Sequence, residues 1–179
     1  MMEEICAHIM DIAANAVTAG ATHVAIAISK DRKNNLLSIA FKDDGRGMNE
    51  EMVKKVIDPF FSTKKGKKVG LGIPLLKGTA ETCGGKFSLT SKSGEGVDIS
   101  VSFQLDHPDL PPLGNLKETI LVLIMGNQEV DFSFFYSVDG QTFSLHTREI
   151  RELIGAVPIN HPEIVKFLTE FLDEKLQFI

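Results

Sequence analysis

The stretch from Leu36 to Met48, LLSIAFKDDGRGM, constrains the fold most tightly. Its alternation puts Leu37, Ile39, Phe41 and then Asp43 on one face of a strand, with Ser38, Ala40 and Lys42 on the other. An acid therefore ends the buried face. An unpaired buried charge is costly, so Asp43 needs a donor, and the amino group of a flat heterocycle such as adenine would serve. Gly45 and Gly47 follow at once, letting the backbone turn sharply and a planar ligand lie close against it. Taken alone, the same residues also read as an ordinary strand end and turn.

A second cluster precedes this strand. A helix is expected over about Glu3 to Ala19, with Ile5, Ile9, Ile12, Ala13 and Ala16 as its apolar stripe. His8, Asp11 and Asn15 fall three or four residues apart on another face. Asp and Asn compete with the helix for backbone hydrogen bonds, so their place mid-helix asks for a reason. A carboxylate one turn from a carboxamide can hold Mg2+ and orient a water through hard oxygen ligands. His8 reads as a structural residue.

The third cluster is DPFFSTKKGKKVGLG, Asp58 to Gly72. Pro59 stops a short helix that Asn49 starts, an aromatic pair follows, and four lysines surround Gly66. This basic loop runs into a helix beginning GLGIPLL, where Pro74 is tolerated in the first turn. The N–H groups of Gly70, Leu71 and Gly72 at that helix N-terminus form a ready anion site, suited to a phosphate chain. Two strands, KFSLTS and VDISVSFQL, complete the unit. The order helix, two strands, helix, loop, helix, two strands predicts an α+β fold: a two-layer sandwich of a mixed sheet with helices on one face.

The remainder differs in charge. Of the net charge of −5 carried by the 179 residues, positions 1–105 contribute +2 and positions 106–179 contribute −7. That balance disfavours nucleic acid as a partner. Three prolines in DHPDLPPLGN suggest a linker over 106–116, so the expected organisation is a domain over 1–105 and a small acidic α+β domain over 117–179. Within the latter, TILVLIM reads as a strand, Asp139-Gly140 as a hairpin turn, Thr147 as a helix cap, and Ile164 to Leu176 as the stripe of a last helix. So small a core is expected to pack on the first domain or on a second copy of itself. No apolar run is long enough to span a bilayer, no signal peptide is visible, and Cys6 and Cys83 lack metal-ligand spacing, which together suit a cytoplasmic protein that does not enter the membrane.

Four ordered segments resemble the GHKL superfamily of gyrase subunits, heat-shock chaperones, histidine kinases and MutL-type ATPases, over about residues 5–105. DIAANA resembles its N box, DDGRGM its first glycine box, DPFFSTK the kinase F box, and GLGIPLLKGTAETCGGKFSLTS with GEGVDISVSF its second glycine box and closing strands. The last three are most like histidine kinases. The resemblance implies ATP and Mg2+ as cofactors. It implies contacts at Asn15, which would give an oxygen to Mg2+, at Asp43, which would accept from the adenine amino group, and at Gly45, Gly47, Met48, Phe60, Thr63, Lys64, Gly70, Leu71 and Gly72.

Asp11 stands where ATP-hydrolysing members carry a glutamate general base, one methylene longer. Lys68 replaces the first glycine of the usual G-x-G-x-G, and Val97 a common threonine. A segment bearing a phosphoacceptor histidine normally precedes this domain in sensor kinases, and a transducer domain follows it in topoisomerases and mismatch-repair ATPases; neither pattern is visible here. The resemblance therefore implies an ATP-dependent kinase-like protein acting on a separate protein partner. The alternatives are a non-catalytic nucleotide sensor, or a slow ATPase that forms a homodimer on binding nucleotide.

Overall fold

Alternation decides which side of each strand is buried, and the helices collect on that side. The computed structural model of the chain describes residues 4–58 and 71–177. Its elements are α1 (Ile5–Thr18), β1 (His23–Asp31), β2 (Leu36–Asp43), α2 (Glu50–Val56), α3 (Gly72–Thr82), β3 (Phe87–Ser91), β4 (Val97–Gln104), α4 (Leu116–Gly126), β5 (Asp131–Val138), β6 (Gln141–His146), α5 (Thr147–Ile154) and α6 (Pro162–Gln177). The strands form one sheet in the order β3-β4-β2-β1-β5-β6. Every neighbouring pair is antiparallel except β1 and β5. This is a mixed sheet in an α+β fold, as the pattern predicts.

Val24, Ile26 and Ile28 of β1, Leu37, Ile39 and Phe41 of β2, Ile99, Val101 and Phe103 of β4, and Phe132 and Phe134 of β5 point into one core. Burying a side chain of this size contributes about 1.5–3 kcal/mol. In the helix layer, α1 packs between α3 and α4, and α4 in turn packs against α6. The opposite face of the sheet carries Ala25, Ala27, Ser29, Ser38 and Ala40, whose register partners on β4 and β5 include Ser100, Ser102, Ser133 and Ser137.

Residues 117–177 do not stand apart. β5 lies parallel to β1, with His23 opposite Asp131 and Lys30 opposite Val138, so the C-terminal strands extend the same sheet. Residues 106–116 are likewise tied in. The carbonyls of Pro112 and Leu113 accept from the Ile5 and Cys6 N–H groups at 2.9 Å, which satisfies amides that the first turn of α1 leaves without helical partners.

One expected strand is a helix. TILVLIM lies in α4, where Leu116, Thr119, Ile120, Leu123 and Ile124 are buried at helical spacing. The Asn115 side chain accepts from Glu118 N–H at 3.0 Å and donates to the Glu118 carboxylate, so the pair forms a cap. A short apolar run is ambiguous between strand and helix by periodicity alone, and the cap resolves it. Thr147 does not cap α5 either. It is the first residue of that helix, and its buried hydroxyl accepts the Phe132 N–H at 2.8 Å. Elsewhere the local signals hold: Asn49 caps α2 by accepting from Met52 N–H, and Asp139 and Gly140 both adopt positive φ in the β5–β6 turn.

Candidate functional site

Asp43 ends β2 between Val24 of β1 and Val97 of β4, so its backbone is fixed by both neighbours. Its Oδ1 accepts the Gly45 N–H at 2.9 Å. Burial pushes the carboxyl above its usual range, and the Gly45 and Val97 N–H groups only partly offset this. A half-buried acid destabilised in its charged form is one that a ligand's donor would relieve.

Asp44 has another task. Its Oδ1 accepts from the Thr22 and His23 N–H groups at 2.7 and 2.8 Å, and its Oδ2 from the Thr22 hydroxyl at 2.5 Å. Burial acts to raise this carboxyl, but the bonds from Thr22 and His23 together bring it below its usual range. Asp44 therefore clamps the α1–β1 connection, and of the two acids Asp43 is the one less committed to the fold.

Close packing bears on both glycines after Asp43, tightly at Gly45 and prohibitively at Gly47. Gly45 is buried beside α1, where a Cβ would lie 3.2 Å from the Ala19 carbonyl oxygen. The Arg46 N–H donates to that same carbonyl at 3.1 Å. Gly47 has φ +61°, and a Cβ there would fall 2.0 Å from the Lys92 carbonyl oxygen. Its need for glycine thus comes from the β3–β4 turn, independently of any ligand.

That turn supplies two residues the motif reading missed. The Ser91 hydroxyl accepts the Met48 N–H at 2.8 Å and donates to the Gly96 carbonyl at 2.6 Å. Gly96 has φ +79°, and a Cβ there would sit 1.9 Å from the Asp43 carbonyl oxygen. The two glycines of KSGEG were the available signal, readable as a turn but not as a support for Asp43.

On α1, Asp11 and Asn15 are half-buried one turn apart. Asp11 reaches α3, because a Cβ built on Gly72 would fall 1.6 Å from its Oδ2. Gly72 opens α3, and Leu71 before it offers no side-chain cap. Pro74 lacks an N–H, and the Leu75 N–H bonds the Leu71 carbonyl at 2.8 Å. Among the described residues, the first turn of α3 therefore presents backbone N–H groups without a capping side chain, beside a carboxylate. Among the site residues expected from sequence, Phe60, Thr63, Lys64 and Gly70 lie outside the described residues.

His8 is fully buried, with its Nε2 3.4 Å from the Thr79 hydroxyl of α3. That hydroxyl donates to the Leu75 carbonyl at 3.0 Å, so it is available to accept from the imidazole. Among the described residues Nδ1 has no hydrogen-bond partner, and burial pushes the imidazole below its usual range. His8 holds α1 against α3. Among the described residues no group of three or more His, Cys, Asp or Glu is arranged to hold a metal, and no helix is long and apolar enough to cross a membrane.

A family model described as histidine kinase-, DNA gyrase B- and HSP90-like ATPase matches residues 2–107. Among curated proteins, sporulation kinase C of Bacillus subtilis is 33% identical over 82 residues, covering 46% of this chain and 18% of that protein. The sensor histidine kinase WalK of the same organism is 31% identical over 83 residues, covering 44% and 14% respectively. The chain thus spans less than a fifth of these relatives. Among solved structures, the MutL ATPase domain of Aquifex aeolicus complexed with ADP superposes with a TM-score of 0.54 at 15% identity, covering 97% of this chain and 88% of that one. This likeness is of fold, and it extends through the C-terminal strands.

Proposed function

This chain belongs to the histidine kinase-, DNA gyrase B- and HSP90-like ATPase family, and from that premise we propose that it binds Mg2+·ATP and transfers phosphate to a separate protein. The observation that carries the binding reading is the use of α1 as a spine. Ala19 touches the Gly45 loop at the C-terminal end and Asp11 touches Gly72 from the middle of the helix, with Asn15 between them. Eight residues of helix separate Asp11 from Ala19, about 12 Å of rise. The base would lie at Asp43, which gains a donor for its destabilised carboxylate. The phosphates would lie at the N–H groups of Leu71 and Gly72, with Gly70, Lys64, Thr63, Phe60 and Met48 as further contacts.

The charge at the phosphate end supports a metal. Asp11 would repel a phosphate chain at the start of α3 unless a cation stood between them. Asn15, half-buried one turn away, offers a hard oxygen of the kind Mg2+ takes. When bound, Mg2+ would neutralise charge on the transferring phosphoryl group. The chain's own residues would then position the nucleotide, Asp43 by accepting from the base and α3 by donating N–H groups.

A second reading is favoured by one contact. Asp11 is one methylene shorter than a glutamate and lies against Gly72, which favours a carboxylate that does not reach an attacking water. On that reading the protein senses nucleotide without turning it over. A thermal-shift series with ATP, with and without Mg2+, tests binding: no rise in melting temperature with ATP would overturn both readings, since a ligand that binds only the folded state must raise it. Labelled ATP incubated with the protein and candidate partners separates them. A labelled partner supports transfer; binding without label or turnover supports sensing.

A further inference from the structure

Among the described residues, both layers of the fold end without a neighbour on the same side. In the sheet, β6 is the terminal strand beyond β5. In the helix layer, α6 is the last helix, packed against α4. Asp173 of α6 reaches Lys117 of α4 at 2.7 Å, while the buried Leu168 and Leu172 face the core. At 3.6 residues per turn, Phe167 falls roughly 120° from the core direction on the side opposite Asp173. It therefore faces away from α4, and it is 58% exposed. Phe167 stacks on Phe171, which meets Phe143 of β6, so an aromatic row runs from the terminal strand to this open flank.

The edge of β6 is also open in its backbone. Val138 and Gln141 close the two-residue turn, so 141, 143 and 145 exchange hydrogen bonds with β5, while 142, 144 and 146 direct theirs outward. Among the described residues nothing bonds the outward N–H or C=O of Thr142 or Ser144. Edge strands are usually guarded by charge, proline or a covering element. The opposite edge, β3, is flanked by Lys86 and Lys92 and has α2 packed on it. β6, with the sequence QTFSLH, has no lysine, no acid and no proline.

We propose that β6 pairs antiparallel with β6 of a second copy of this chain, making a continuous twelve-stranded sheet across a two-fold axis at Ser144. The outward residues fit that symmetry: Ser144 falls opposite its own copy, and Thr142 opposite His146, so no formal like charges meet in the ladder. The same rotation brings α6 beside its copy and covers Phe167. One occupant thereby completes both layers, whereas a lone extended peptide on β6 would complete only the sheet. Thr142, Ser144 and Phe167 are remote in sequence from the Asp43 and Gly72 clusters, so this proposal does not depend on the nucleotide reading.

The test is the mass of the full chain by light scattering across a concentration series, without nucleotide. The wild type should approach twice the monomer mass as concentration rises. Ser144→Lys, which sets two lysines opposite each other, should shift the midpoint to at least several-fold higher concentration, and Thr90→Lys on the β3 edge should not. As a check that survives misfolding of the lysine variant, Ser144→Cys should cross-link to dimer with a short bis-maleimide. The wild type should not cross-link, because Cys6 and Cys83 are buried. A wild type that stays monomeric throughout would overturn the proposal. So would a dimer that ignores Ser144→Lys and leaves Ser144→Cys uncross-linked, since it must use another surface.

Discussion

The Asp11 carboxylate lies directly against the α-carbon of Gly72, close enough that a Cβ on Gly72 would meet Oδ2 at 1.6 Å. This contact joins the middle of α1 to the first residue of α3, and it makes glycine a steric requirement at position 72. Gly72→Ala would improve helix propensity yet force Asp11 out of place. The expected outcome is a loss of about 1–3 kcal/mol, the usual range for overpacking. Asp11→Ala in the same chain should recover most of it, because only the more distant Cβ at 3.3 Å remains. Denaturant melts of the four proteins in the cycle measure the coupling; additive losses would show that the contact is not the cause.

Asp43→Asn separates fold from ligand. Burial raises this carboxyl's pKa in the folded state, so folding is penalised once the group ionises. The folded protein holds its proton to higher pH than the unfolded chain. The penalty is therefore absent below the ordinary carboxylate range and grows as pH rises through the folded value. Asp43→Asn should leave the ligand-free protein at least as stable as wild type at pH 7 and lose the ATP-dependent rise in melting temperature. A variant that melts lower without nucleotide and still responds to ATP would contradict the assignment.

Asp44→Ala should show the reverse pattern. Three bonds from Thr22 and His23 are lost at an exposed site, for a cost of about 1–2 kcal/mol in the absence of nucleotide. Because those bonds hold the wild-type carboxyl below its usual range, the stability they give is present above the unfolded pKa and fades as pH falls through the folded one. Chemical denaturation at pH 7 and at pH 3 should show a smaller gap between variant and wild type in acid.

His8 sets a different pH window. Its folded pKa is depressed by burial, so the unfolded chain takes up a proton first as pH falls. Stability should decline as pH drops through the ordinary histidine range near 6.5. His8→Met, which fills the site without an orphaned Nδ1, should flatten that part of the pH–stability curve, read as melting temperature between pH 5 and pH 8. An unchanged slope would place the acid sensitivity elsewhere.

Much of this architecture was legible residue by residue. The alternation of Leu37, Ile39 and Phe41 gives β2 its buried face, and Asn49 and Asp139-Gly140 mark a helix start and a turn, because each signal lies within a few neighbouring residues. The α4 segment misled because four to six apolar residues satisfy either period, although Asn115 and Glu118 held the answer. Asp43 and Asp44 are adjacent acids; alternation already set Asp43 on the buried face, while the task of Asp44 came only with its bonds to Thr22 and His23.

By itself the sequence determined most of the elements, though not α4, together with the ordered motifs and hence the family, since these rest on local periodicity and on residue types at short spacing. Tertiary structure alone decided that β5 joins β1 more than a hundred residues later, that Pro112 and Leu113 complete the start of α1, and that Asp11 meets Gly72. Those contacts depend on where the chain returns after long excursions. No local pattern records that return, because the burial and backbone pairing that favour it are properties of surfaces formed only once the sheet has assembled.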